Sequence, residues 1–308
     1  MPRRSLVAAV GGVIATLTVT CASSSIASAQ VATEPDAAPQ QVVLDAKEQF
    51  RANYLLNGEV TVSVSPAEYI GKISVVSRGE EVASTQAQNG SAQLIIPAEK
   101  LGTQRLRLVA ADDSGFVGTA VQTTMVTKGV RLRRGDRHPV VPQLMRNLKR
   151  SKYLVPRMGK TYNAKARDVV MAFQKVNELP RTGKMNEQTW RALAKSGPVK
   201  PRYRGSGTHL EVDKTRQVMM LVRNGKVRAT LHVSTGKTGN TPEGRYPVFA
   251  KGVGNLYRFI SFKGNFGIHG YVPVPAQPAS AGCVREPMWA ADWFYKNTSI
   301  GTPVYIYR

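Results

Sequence analysis

Cysteine is almost missing from this sequence: only Cys21 and Cys283 occur among 308 residues. At most one disulfide can form, so a small fold held together by several bridges is excluded. Histidine is nearly as scarce. His138, His209, His232 and His269 have no Cys, His or carboxylate neighbours at metal-site spacing, and neither a metal nor any other cofactor is expected. Acidic residues are outnumbered 20 to 43 by Lys and Arg. Past residue 29 no apolar run approaches the roughly twenty residues with which a helix crosses a bilayer, so no transmembrane segment is expected in the mature chain.

The first residues read as a leader. Arg3 and Arg4 precede an apolar stretch from Leu6 to Thr20, and Ala27-Ser28-Ala29 stands ahead of Gln30. A basic start, an apolar run of about fifteen residues and a small-residue cleavage site make a secretory signal peptide over residues 1–29. The protein is therefore expected to be exported to the cell wall or extracytoplasmic space. Thr18-Val19-Thr20 departs from the Leu-small-small pattern before a lipidated cysteine, and Arg3-Arg4 lacks the continuation of a twin-arginine signal. With Cys21 removed, Cys283 has no partner. In an oxidising compartment an unpaired thiol is either buried in a core or put to use.

The formal charge of +23 is unevenly spread. Residues 30–130 carry 8 basic and 11 acidic side chains, residues 131–204 carry 20 and 4, and residues 205–308 carry 13 and 5. A basic block of this kind suits phosphate neutralisation. On an exported chain it points to anionic wall polymers and lipid head groups rather than to nucleic acid; the bland alternative is a solvated face.

Periodicity divides the rest. Residues 30–47, rich in Ala, Pro and Gln, read as a flexible leader. Over residues 48–129 the period is two: Val60, Val62 and Val64 alternate with Thr61 and Ser63, followed by Ile73-Ser74-Val75, Leu94-Ile95-Ile96, Leu106-Arg107-Leu108 and Val121-Gln122-Thr123, with turns at Asn89-Gly90 and Asp112-Asp113-Ser114-Gly115. Short strands so spaced predict an all-β immunoglobulin-like sandwich. It holds no chemistry-bearing constellation and reads as a spacer or binding module. Over residues 131–195 the period turns helical, with Val141, Leu144, Met145 and Leu148, then Ala166, Val169, Val170 and Phe173, then a helix capped by Asn186 and carrying Trp190 and Leu193. Residues 196–207 form a linker. Residues 208–308 read as a compact, mainly β domain with an Asn224-Gly225 hairpin, a short helix from Met288 and a closing strand from Pro303.

Three helices in this order, with Phe173-Gln174, Gly183 and Thr189-Trp190, resemble the three-helix peptidoglycan-binding domain. The last segment carries Glu211-Val212-Asp213, Val233-Ser234-Thr235-Gly236, Thr241-Pro242-Glu243-Gly244, Ile268-His269-Gly270 and Ser280-Ala281-Gly282-Cys283-Val284-Arg285. In order and spacing these resemble the L,D-transpeptidase catalytic domain. The resemblance implies acyl transfer on peptidoglycan stem peptides. Cys283 would attack the carbonyl of the third stem residue and expel the terminal D-alanine. An amine of a neighbouring stem, giving a 3→3 cross-link, or water would then resolve the thioester.

A thiolate, not a thiol, attacks. His269 is the expected base, oriented by the backbone carbonyl of Gly270, and the amides of Gly282 and Cys283 are the expected oxyanion donors. Arg285 is expected on a stem carboxylate, against the alternative of a structural pair with Glu286. Ser280 is expected to bind substrate or brace the loop. Ala281 stands where the family commonly has a second histidine. Two other functions stay open: an L,D-carboxypeptidase that trims stems, and a catalytically silent wall-binding protein.

Overall fold

The computed structural model describes residues 41–111 and 120–308. The expected signal peptide, Cys21, most of the expected flexible leader and the Asp112-Asp113-Ser114-Gly115 turn lie outside the described residues. Alternation builds the first unit. Its strands are β1 (Val43–Ala46), β2 (Gln49–Asn53), β3 (Asn57–Ser65), β4 (Lys72–Ser77), β5 (Glu80–Gln86), β6 (Ser91–Pro97), β7 (Gly102–Ala111) and β8 (Val121–Lys128). In β3 every second side chain is buried, and Val60 faces Leu94 across an antiparallel ladder. One sheet runs β1-β3-β6 and the other β2-β8-β7-β4-β5. Val62, Leu94, Ile73, Val75, Leu108 and Met125, all fully buried, fill the space between them. Each such apolar side chain contributes roughly 1.5–3 kcal/mol relative to exposure.

The leader expectation needs one correction. β1 lies inside residues 30–47, yet it pairs with β3 from Val43↔Ser65 to Ala46↔Val62 and buries Leu44. Backbone pairing with a strong neighbouring strand outweighs the Ala-, Pro- and Gln-rich surroundings.

Three helices follow: α1 (Val140–Arg150), α2 (Ala164–Val176) and α3 (Glu187–Lys195). Asn163 and Asn186 cap α2 and α3, their side-chain oxygens accepting from Ala166 N and Thr189 N at 3.1 and 2.8 Å. Ahead of α1, whose N-cap Pro139 offers no side-chain cap, the Nδ1 of His138 accepts from Val140 N at 3.1 Å. Gln174 is fully buried. Its amide nitrogen donates to the carbonyl of Lys184 at 2.9 Å and to the Thr189 hydroxyl at 3.2 Å, while its oxygen accepts from Gly183 N at 2.7 Å. Trp190, also fully buried, donates its Nε1 to the carbonyl of Val130 at 2.7 Å and meets Tyr54 of the first unit edge to face at 5.7 Å.

The last unit contains β9 (Thr208–Asp213), β10 (Val218–Arg223), β11 (Lys226–His232), β12 (Gly244–Pro247), β13 (Ala250–Lys251), β14 (Ile260–Lys263), β15 (Phe266–Tyr271), β16 (Val284–Pro287), α4 (Met288–Lys296) and β17 (Pro303–Tyr307). It is mainly β. One sheet runs β11-β10-β9-β17-β12, the other β13-β14-β15-β16, and α4 packs on β15 and β16. The expected linker is tied down: Glu211, wholly buried on β9, accepts from Arg202 N and Tyr203 N at 2.9 Å each and from the Tyr307 hydroxyl at 2.9 Å. Among the described residues no helix is long and apolar enough to cross a membrane.

Gly129 joins the first unit to the helices, and an ideal Cβ there would fall 2.1 Å from Trp190 Cδ1. The indole is held in place by the Val130 carbonyl and the Tyr54 ring. Gly129→Ala should lower unfolding stability by about 1–3 kcal/mol, read from the denaturant midpoint followed by tryptophan fluorescence; an unchanged midpoint would contradict this packing.

Candidate active site

β15 and β16 run parallel, with Ile268↔Val284, His269↔Arg285 and Gly270↔Glu286 in register. Side chains alternate across a strand. His269, Tyr271 and Arg285 therefore share one face, where the Arg285 guanidinium lies 4.1 Å from the Tyr271 ring centroid and the His269 and Tyr271 rings are 6.3 Å apart. Cys283 is one strand over from His269 and two positions back. Cys283 is half-buried and free, and its thiol donates to the carbonyl of Asn265 at 3.7 Å.

His269 Nδ1 lies 3.0 Å from the carbonyl oxygen of Gly270. A carbonyl only accepts, so Nδ1 carries the proton and Nε2 is left as the basic nitrogen. Burial lowers the imidazole pKa below its ordinary value; the Gly270 hydrogen bond opposes this and the nearby Arg285 cation adds to it. The ring is thus neutral near pH 7, the form a base requires.

The turn before β16 is held from outside. Asn240 donates to the carbonyl of Ala281 at 2.6 Å, the Thr241 hydroxyl to the carbonyl of Gly282 at 2.6 Å, and the Ser280 hydroxyl to the carbonyl of Cys283 at 2.5 Å. Thr241 in turn accepts from Gly236 N at 2.8 Å. Gly282 has φ +148°, and a Cβ on it would meet the Phe266 ring at 2.3 Å, so no other residue fits.

One expectation is corrected here. The amide of Gly282 donates to Ser280 Oγ at 3.0 Å, which commits it to the turn and removes it as an oxyanion donor. The hydroxyl of Ser280, donating and accepting within the same turn and 4% exposed, braces the loop, one of the two roles expected of it. Of the two expected amides only that of Cys283 has no partner among the described residues.

Arg285 and Glu286 point to opposite faces. Arg285 donates one nitrogen to the carbonyl of Ala279 at 3.1 Å, and its Nε is buried without a partner. Glu286, wholly buried, has no partner for either oxygen among the described residues, and the two form no ion pair. Ala281 is exposed. The helical unit reaches this region through Arg181, which donates to the Gln277 side chain at 2.8 Å and the carbonyl of Thr215 at 2.9 Å, while Ser234 donates to the carbonyl of Gln277 at 2.7 Å. Asn240, Thr241 and Arg181 were not singled out from the sequence. The only available signal was hydrogen-bonding side chains beside Gly239 and in the Thr-Pro-Glu-Gly segment.

The family profile of the L,D-transpeptidase catalytic domain matches residues 207–306, and that of a putative peptidoglycan binding domain matches residues 137–193. A crystal structure of an L,D-transpeptidase from Xylanimonas cellulosilytica is 30% identical over 57% of this chain and 97% of that one, with a TM-score of 0.54. One from Stackebrandtia nassauensis is 21% identical over 57% and 95%, at 0.37. No curated protein matches the chain.

Burial without a partner raises the Glu286 carboxyl from 4.5 to about 8. The folded state then holds a proton that the unfolded state loses, so stability is full below pH 4.5 and declines by up to about 1.4 kcal/mol per unit as the pH rises towards 8. Glu286→Gln should flatten that decline, measured by denaturant unfolding across the pH range; an unaltered slope would place the carboxyl in contact with water.

Proposed function

This chain belongs to the L,D-transpeptidase family, and we propose from that premise that it is an exported enzyme that forms 3→3 cross-links in peptidoglycan through a thioester on Cys283. The observation that supports the reading is the pairing of β15 with β16, which puts His269, its Nδ1 3.0 Å from the Gly270 carbonyl, in register with Arg285, two residues past the free Cys283. In this reading His269 Nε2 takes the Cys283 proton, and the thiolate attacks the carbonyl of the third residue of a tetrapeptide stem. His269 then returns the proton to the departing D-alanine amine. The amide of Cys283 is the donor left for the oxyanion. Arg285, whose guanidinium lies 4.1 Å from the Tyr271 ring centroid, receives a stem carboxylate. A side-chain amine of a second stem attacks the thioester and regenerates the thiol.

The helical unit holds the substrate glycan, the two-sheet unit serves as an immunoglobulin-like spacer, and the positive excess of the middle of the chain draws the enzyme to anionic wall material. Signal-peptide cleavage before Gln30 delivers it there.

Incubation with disaccharide-tetrapeptide stems should release D-alanine and yield 3→3 dimers by mass spectrometry, and Cys283→Ala should abolish both. Release without dimers would make the protein a carboxypeptidase, and the absence of release would leave a silent wall-binding protein.

The pH dependence of Cys283 alkylation tests the base. Since His269 titrates below its ordinary value, the acid limb of the rate should fall below about pH 6.5. Arg285→Gln removes a cation that disfavours the imidazolium, and the limb should move to higher pH. A limb unaffected by both Arg285→Gln and His269→Gln would remove His269 from the mechanism.

A further inference from the structure

A cleft of about 1240 Å³ lies between the first unit and α3, and none of its walls comes from the catalytic domain. Lys128 and Arg131 stand on one side of it, Arg191 and Lys195 on α3. The one acid that lines it, Glu187, is paired with Arg191 at 2.5 Å. Lys128, Arg131 and Lys195 have no ion pair among the described residues. Thr127 also lines the cleft, and its buried hydroxyl has no hydrogen-bond partner among the described residues.

Like charges on facing walls repel, and a ligand that supplies the missing anions reverses the sign of that interaction. Small-molecule pockets hold roughly 300–1,000 Å³. This cleft is larger, and its cations are distributed over two structural units rather than focused on one point. A single small anion would leave most of them unanswered, whereas a chain of repeated anions would meet each in turn.

We propose that the cleft binds a linear polyanion of the cell wall, a glycopolymer bearing repeated phosphodiester or carboxylate groups. The inference rests on the wall location proposed above and not on transpeptidation. Binding there releases counterions and falls with salt. It would anchor the chain through a polymer other than the one whose stems it processes.

The test uses the full-length protein with Cys283→Ala, so that turnover does not enter, titrated by fluorescence anisotropy with labelled poly(glycerol phosphate), polygalacturonate and single-stranded DNA. At least one wall-type polymer should bind. The variant with Lys128→Gln, Arg131→Gln and Lys195→Gln should lose about tenfold or more in affinity, and its slope of log affinity against log salt should shrink by about two to three. A control with Lys149→Gln, Arg150→Gln and Lys165→Gln removes the same charge from exposed positions elsewhere and should change affinity by less than about twofold. The stronger of the two polymers assigns phosphodiester or carboxylate chemistry. Equal losses in the two triple variants, tighter binding of DNA than of either polymer, or no binding at all would each overturn the proposal. Cleft-dependent binding by a protein whose wild type releases no D-alanine would sink the transpeptidase reading alone.

Discussion

The parallel pairing of Phe266–Tyr271 with Val284–Pro287 is the constraint on which the site depends. Its register places His269 opposite Arg285 and sends their side chains to one face, while Ile268 and Val284 on the other face enter the core with Ala290 and Phe294 of α4. The apolar burial that holds the two strands together thus also fixes which polar groups meet. A slip of one residue would turn every side chain over: Glu286 would take the face of His269 and Arg285 would enter the core, where a charge without a partner is costly.

Preorganisation of the cysteine turn adds a second layer. The carbonyls of Ala281, Gly282 and Cys283 and the amide of Gly282 all have partners, supplied by Asn240, Thr241 and Ser280. A backbone so committed holds these carbonyls in place, and the amide of Cys283 has no partner among the described residues. Gly282, under the Phe266 ring, is what lets the chain close this tightly. Fixed dipoles of this kind need no reorganisation when charge develops.

The helical unit is joined to the catalytic domain by buried polar groups. Lys175 on α2 donates to the carbonyls of Val233 and Gln217 at 2.7 and 3.2 Å, and burial, together with the Arg181 cation, holds its pKa well below the usual lysine range. Asp168 accepts from Trp289 Nε1 at 3.0 Å and stands 3.5 Å from His232; burial lowers that imidazole to about 4, so it is neutral near pH 7. Val233 leads directly into Ser234, which pairs with Arg285 through both backbone groups. A continuous path of hydrogen bonds therefore runs from α2 to the strand that follows the cysteine.

Much of this was legible locally. Alternation in Val60-Thr61-Val62 and the three- and four-residue spacing from Val141 to Leu148 determined strand and helix, because each pattern depends only on which face of one element is buried. Asn186 announced its cap outright, since a cap is made with a backbone amide three residues away. The positions of Cys283 and His269 in their motifs determined the chemistry to expect. The tertiary structure alone decided what each polar group was free to do. Val43–Ala46 joined a sheet because β3 offered an edge, the Ser280 hydroxyl took up the Gly282 amide and the Cys283 carbonyl, and Glu286 was wholly buried. Thr241 reached a carbonyl 41 residues away. Periodicity is a property of a segment, whereas hydrogen-bond satisfaction and burial are properties of the packed whole, and only folding assigns them.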